Sequence, residues 1–192
     1  MKNFVHYIQI QNSIIESCHQ IEKIDLLTEL IYEKNKNQML TILTAGNGGS
    51  SSTAEHFSAD LSLTYNRTSK SINSICLSSQ NSLMTALSND LDYADSFAYQ
   101  LYNWRFKNVV VVAFSASGNS KNIVKLLTKS IEFGIPSFCF VGFDGGIVSR
   151  IPEVETIFFR DDKKNYGQIE NIHLSVCHYI IEKLNSKILS SA

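Results

Sequence analysis

From about residue 39 onward, short apolar runs alternate with longer stretches of mixed polarity. The apolar runs are Met39–Thr44, Ser71–Leu77, Val109–Phe114, Ser137–Gly142 and Glu155–Phe159. Their length and near-continuous apolar character predict strands, several of them buried on both faces. The stretches between read as helices: Ser51–Leu63, Ser82–Leu87 with Ala94–Trp104, and Lys121–Phe133. A last helix is predicted from about Tyr166 to Ile188. Such alternation predicts an α/β fold, a three-layer αβα sandwich on a five-stranded parallel sheet joined by right-handed crossovers. Ahead of it, Ile8, Ile14, Cys18, Ile21, Leu27 and Ile31 recur at near-helical spacing. Residues 1–37 therefore read as an N-terminal helical segment, one helix or two, packed on a core or a partner subunit. Residues 38–192 read as the α/β core of a single domain, with no linker or repeat inside it.

Composition excludes several classes. The formal net charge is −1 and charged residues make up 18%. No basic run offers a nucleic-acid surface or a polybasic membrane anchor. No apolar stretch reaches spanning length, and residues 1–7 lack a signal-peptide core. A cytoplasmic protein is expected. Cys18, Cys76, Cys139 and Cys177 are widely spaced and form no CxxC pair, so they read as buried free thiols.

Two loops carry candidate chemistry. Gly46-Asn47-Gly48-Gly49-Ser50 follows the first strand, and Ser115-Ala116-Ser117-Gly118-Asn119-Ser120 follows the third. Each leads into a helix. Glycine admits an anion close to the backbone, and a helix N-terminus supplies N–H groups and positive potential. Asp144-Gly145-Gly146 follows the fourth strand on the same side of the sheet, where ligands of such folds bind. A tight turn is the commoner meaning of clustered glycines; three loops on one side argue for more. Neither a GxxxxGK[ST] nor a GxGxxG pattern is present, which disfavours a nucleotide. Hydroxyls and amides without a lysine suit a phosphate monoester that is bound and not transferred. Ser50, Ser115, Ser117 and Ser120 are the candidates, although Ser117 and Ser120 also suit helix capping.

These loops, together with His56-Phe57, Ala86–Asp90, Asn122-Ile123-Val124, Ile172-His173 and His178, resemble the SIS (sugar isomerase) domain family, specifically its phosphoheptose isomerase group. The resemblance runs from about residue 43 to 184. It implies a flavodoxin-like sheet and a homotetramer with sites between subunits. It also implies aldose–ketose isomerisation of sedoheptulose 7-phosphate to D-glycero-D-manno-heptose 7-phosphate, on the ADP-heptose route to lipopolysaccharide. One zinc ion per subunit is implied at His56, Asp60, Glu170 and His178, with Asp60 as base or ligand and His178 as acid/base. Asn47, Gly48, Asn89 and Asp90 join the serines as implied substrate-binding positions.

The residues themselves allow this chemistry. Proton transfer between adjacent carbons needs a base, and the enediolate oxygens need stabilisation. His56 and Asp60 are four apart, on one face of a predicted helix. Glu170 and His178 are eight apart, roughly 80° around the last helix. His173 points elsewhere and reads as structural; His6 and His19 read as surface or interface residues. The chain departs from the family pattern at several points. Asp60 stands where glutamate is usual, Glu170 for glutamine, Thr64 for arginine, Ala116 for threonine, Gly167 for aspartate and Asn171 for glutamate. Three readings follow: the isomerase itself, an isomerase of a related phosphosugar, or a non-catalytic module binding a phosphosugar or a replication initiator. The presence of His178 favours an enzyme.

Overall fold

The computed structural model describes residues 3–18, 20–64 and 72–190. Helices α1 (Phe4–Glu16) and α2 (Ile21–Asn37) form the N-terminal segment as a pair. The split falls at residues 17–20, where the Ser17 hydroxyl turns back to the Ile14 carbonyl and Cys18 donates its backbone N–H to Ile15. His6 lies on α1, part-exposed; His19 lies outside the described residues.

The five strands are β1 (Thr41–Ala45), β2 (Asn73–Cys76), β3 (Val109–Ser115), β4 (Ser137–Phe143) and β5 (Glu155–Arg160). All pair in parallel, in the order β2-β1-β3-β4-β5. β1, β3 and β4 are buried along their whole length, as their unbroken apolar runs predicted. The predicted second strand is shorter than Ser71–Leu77: Ser71 falls outside the described residues and Leu77 opens a 3-10 turn.

Helices α3 (Gly49–Leu63), α4 (Asn81–Asp90), α5 (Lys121–Glu132) and α6 (Tyr166–Ser190) complete the layers. The stretch predicted as helix over Ala94–Trp104 forms instead the 3-10 turns Tyr93–Asp95 and Tyr99–Asn103. Asp92 caps the Ala94 N–H, and both the N–H and the hydroxyl of Ser96 bond the Tyr93 carbonyl. These i→i+3 closures tighten the chain below the α pitch. No described helix is long and apolar enough to cross a membrane.

The sheet separates two apolar clusters. One packs α1, α2, α3 and α6 against one face through Leu27, Ile31, Phe57, Phe114, Phe140, Ile172 and Ile180. The other packs α5 and the 3-10 turns against the opposite face through Phe97, Leu101, Val111, Ile123 and Leu127. Phe140 is fully buried and stacks on Phe114 at 4.9 Å between centroids. Replacing it by alanine removes an entire ring from a close-packed layer. The Phe140→Ala variant is expected to lose about 3–5 kcal/mol of unfolding free energy in urea.

Candidate functional site

The strand order reverses between β1 and β3, which carry the two glycine–serine loops at their carboxyl ends. A sheet that winds outward in both directions from such a pair leaves a crevice between the diverging connections. Here the crevice has a volume of about 320 Å³ and is lined by Asn47, Gly48, Gly49, Ser50, Phe114, Ser115, Ala116, Ser117, Ser120, Tyr166 and Glu170.

Two helices begin in this crevice without side-chain caps. Gly48 precedes α3 with φ of 55°, a left-handed conformation that glycine adopts without penalty. Ser120 occupies the N-cap position of α5, yet its hydroxyl makes no cap bond. It is 3.5 Å from the Ser115 hydroxyl instead. The leading N–H groups of α5 are therefore open to an anion, whereas the start of α3 faces the Glu170 carboxylate. Ser117 does not cap α5; its hydroxyl accepts from the Asn119 N–H within the loop. The loop is braced from below. Ile147 donates its N–H to the Asn119 side chain, and Val148 to the Gly118 carbonyl. Gly118, Gly145 and Gly146 all have positive φ, and a Cβ on Gly118 would strike the Gly145 carbonyl.

Asn47 lines the crevice, and its side chain is a strut. It exchanges two hydrogen bonds of 2.9 Å with Asn122 and accepts one of 2.7 Å from the Tyr93 hydroxyl. Asn89 and Asp90 lie at the exposed end of α4, bonded to each other, and do not line the crevice. Thr64 bonds the Asp60 carbonyl through its hydroxyl and is buried.

Glu170 lies across the start of α3. A Cβ on Gly49 would collide with its carboxylate, and the Ser50 N–H donates to it. Burial raises the Glu170 pKa above the ordinary carboxylate value, and the Ser50 bond opposes this. Tyr166, one turn earlier, packs edge-on to Phe143 at 4.8 Å. Phe143 has φ of 56°, an unfavourable conformation for so bulky a side chain, held by this packing at the rim of the crevice.

Farther along the seam between α3 and α6 stand His56, Asp60 and His178. The two Nε2 atoms are 3.2 Å apart. Asp60 Oδ2 is 3.3 Å from His56 Nε2 and 3.9 Å from His178 Nε2. One donor atom from each residue falls within 4.8 Å of the others. Glu170 is not in that group. Gly49 and His56 are seven apart, so they share one stripe of α3, about 10 Å from crevice to cluster.

His173, which its spacing from His178 marks as structural, stands apart from this cluster. It is fully buried among Phe114, Phe140 and Phe159. Neither ring nitrogen finds a partner of good geometry. Burial pulls its pKa down to about 4, with the Val141 backbone weakly opposing. Tyr166 and Phe143 carried no sequence signal for a site role; a positive φ on phenylalanine is visible only in the backbone.

The chain is similar to known proteins over most of its length. The model of the SIS domain family matches residues 6–139. A phosphoheptose isomerase of Helicobacter pylori strain Shi470 is 32% identical over 183 residues, covering 94% of this chain and 91% of that protein. One from Colwellia psychrerythraea is 31% identical, covering 94% and 95%. The solved structure of a phosphoheptose isomerase from Neisseria gonorrhoeae superposes with a TM-score of 0.83 at 23% identity, covering 95% of each chain.

The His173 environment makes a testable statement about pH. An unfolded histidine titrates near 6.5, whereas the folded one resists protonation down to about 4. Between these values the unfolded state binds more protons, so stability rises with pH there and is level above. About 3 kcal/mol of unfolding free energy should be lost between pH 7 and pH 4 from this residue. The His173→Leu variant is expected to flatten that part of the profile in denaturant titrations. An unchanged slope would assign the effect to other groups. The chain belongs to the SIS domain family, in its phosphoheptose isomerase group.

Proposed function

We propose that this protein isomerises sedoheptulose 7-phosphate to D-glycero-D-manno-heptose 7-phosphate. One observation carries the reading: the α3–α6 seam joins an uncapped, hydroxyl-lined crevice to a histidine–carboxylate cluster about 10 Å away. The relatives named for this activity support it. The phosphate sits at Ser115, Ser117 and Ser120 with the open amides of α5, and Ser50 and Gly48 hold the other side. Among the described residues no lysine or arginine lines the crevice, so amide dipoles and hydroxyls hold the phosphate. The sugar then lies along the seam with its reacting end at the cluster.

The reaction takes a proton from C1 of the ketose and returns it at C2, while a proton passes from O1 to O2. Asp60 presents Oδ2 to both imidazoles, and Oδ1 makes no hydrogen bond among the described residues. That free oxygen is the base for the carbon-bound proton. His178 exchanges the proton on the oxygens. Zinc fits the donor set. Bonds of about 2.0–2.1 Å in a tetrahedron place two ligand atoms about 3.3–3.4 Å apart, against 3.2 Å and 3.3 Å for two of the three pairs here. We assign His56, Asp60 and His178 as the residues that would hold it, and the ligand and proton-transfer roles of Asp60 and His178 compete at any one atom. When bound it would polarise both oxygens of the enediolate. Glu170, implied as a fourth ligand, lies instead on the Ser50 N–H.

We further assign a cytoplasmic homotetramer with sites between subunits, serving the ADP-heptose route. The exposed position of Asn89 and Asp90, outside their own crevice, supports their reaching a neighbour's.

NMR in deuterated water tests the activity. Sedoheptulose 7-phosphate is expected to exchange one C1 hydrogen and give the aldose. His178→Ala should lower kcat by about 10²–10⁴-fold with the fold intact. Absence of exchange in the wild type, with or without zinc, would exclude the proposal. Metal analysis after chelator-free purification should find one zinc per chain, lost in His56→Ala.

A further inference from the structure

Tyr7 hydrogen-bonds helix α1 to the first turns of α6. The Tyr7 hydroxyl accepts a hydrogen bond of 3.1 Å from Asn171 Nδ2. The Tyr7 carbonyl accepts one of 3.0 Å from Gln168 Nε2, whose residue is fully buried. A Cβ on Gly167 would stand 3.3 Å from the Tyr7 hydroxyl, tighter than ordinary contact. Tyr7 thus covers the stripe formed by Gly167 and Asn171. The adjacent stripe of the same helix carries Tyr166 and Glu170, which form one wall of the crevice. Phe143 holds Tyr166 at 4.8 Å from the rim.

Gly167 leaves room for the polar end of the Tyr7 ring, and Asn171 supplies the N–H that the hydroxyl accepts.

We propose that Tyr7 is a positioning residue of the sugar-phosphate site: by locking residues 166–171 of α6, it fixes Tyr166 and Glu170 in the crevice wall. The Tyr7 hydroxyl accepts from Asn171 and donates to no described residue, so its whole role in this link is as acceptor. Glu170 in turn needs this placement, because its carboxylate must meet the Ser50 N–H over the bare Cα of Gly49. A wall that drifts uncovers the start of α3 and loosens the ligand's seat.

The proposal rests on the crevice being the substrate site, and its test separates the two claims. Tyr7→Phe keeps the ring and removes only the hydroxyl; Asn171→Ala removes the donor. Each is expected to raise KM for sedoheptulose 7-phosphate about fivefold, the size of one modest hydrogen bond. In each, kcat should change less than twofold. The double variant should raise KM no further than either single one, because both remove the same bond. Amide hydrogen exchange gives a second readout that needs no activity: residues 166–171 should exchange several-fold faster in Tyr7→Phe, with β3 and β4 unchanged. Unchanged exchange over 166–171 in Tyr7→Phe would overturn the proposal, even in a protein that turned over no substrate. So would an unchanged KM in an active protein, or additive effects in the double variant. Wild-type protein that neither binds nor converts the sugar phosphate, while Tyr7→Phe still speeds exchange, would refute the substrate assignment and leave the lock standing.

Discussion

The reversal of strand order between β1 and β3 is the constraint on which the rest of this molecule depends. Two neighbouring parallel strands send their chains away in opposite directions, and each chain enters a helix that starts at the same crevice. Helix starts carry unsatisfied N–H groups and positive potential. At α1 a side chain caps such an end, Asn3 accepting from the His6 N–H. At α3 the N-cap is a glycine, and at α5 the capping serine turns its hydroxyl away. The crevice of about 320 Å³ thus offers the open start of α5 to an anion, the start of α3 lies beside the Glu170 carboxylate, and no described basic side chain lines it. In the proposed function, recognition of phosphate is thereby separated from the chemistry on the sugar.

That separation runs along the seam between α3 and α6. At one end Glu170 lies over Gly49; at the other His178 meets His56 and Asp60. Both ends are fixed by the packing of these two helices on the sheet through Phe57, Ile172 and Ile180. Buried His173 belongs to this packing layer, with aromatic rings on three sides. Burial keeps it neutral within the scaffold, whereas His178, five residues on, is exposed. Helix geometry alone places the two histidines on different faces of α6.

Much of this was legible in the sequence. Unbroken apolar runs such as Val109–Val112 mark strands buried on both faces. Gly48 and Gly118 mark turns that only glycine makes easily, and the four-residue spacing of His56 and Asp60 puts them on one helix face. The stretch from Ala94 to Trp104 misled, because its Ala94, Phe97 and Leu101 have helical spacing while Asp92 and Ser96 close i→i+3 turns. Periodicity does not register such side-chain competition. The position of Glu170 was also hidden. Spacing on α6 relates it to His178, but its partner is an amide on another helix. Tyr7 was invisible for the same reason: its meaning depends on Gly167 and Asn171, some 160 residues away in the chain.

The most direct measurement is a crystal structure of the protein with sedoheptulose 7-phosphate bound. The account predicts the phosphate within hydrogen-bonding distance of the Ser115, Ser117 and Ser120 hydroxyls and the first N–H groups of α5. It further predicts C1 and C2 of the sugar beside His178 and Asp60. A phosphate bound away from both helix starts, or a sugar whose C1 and C2 lie remote from the His56–Asp60–His178 cluster, would contradict it.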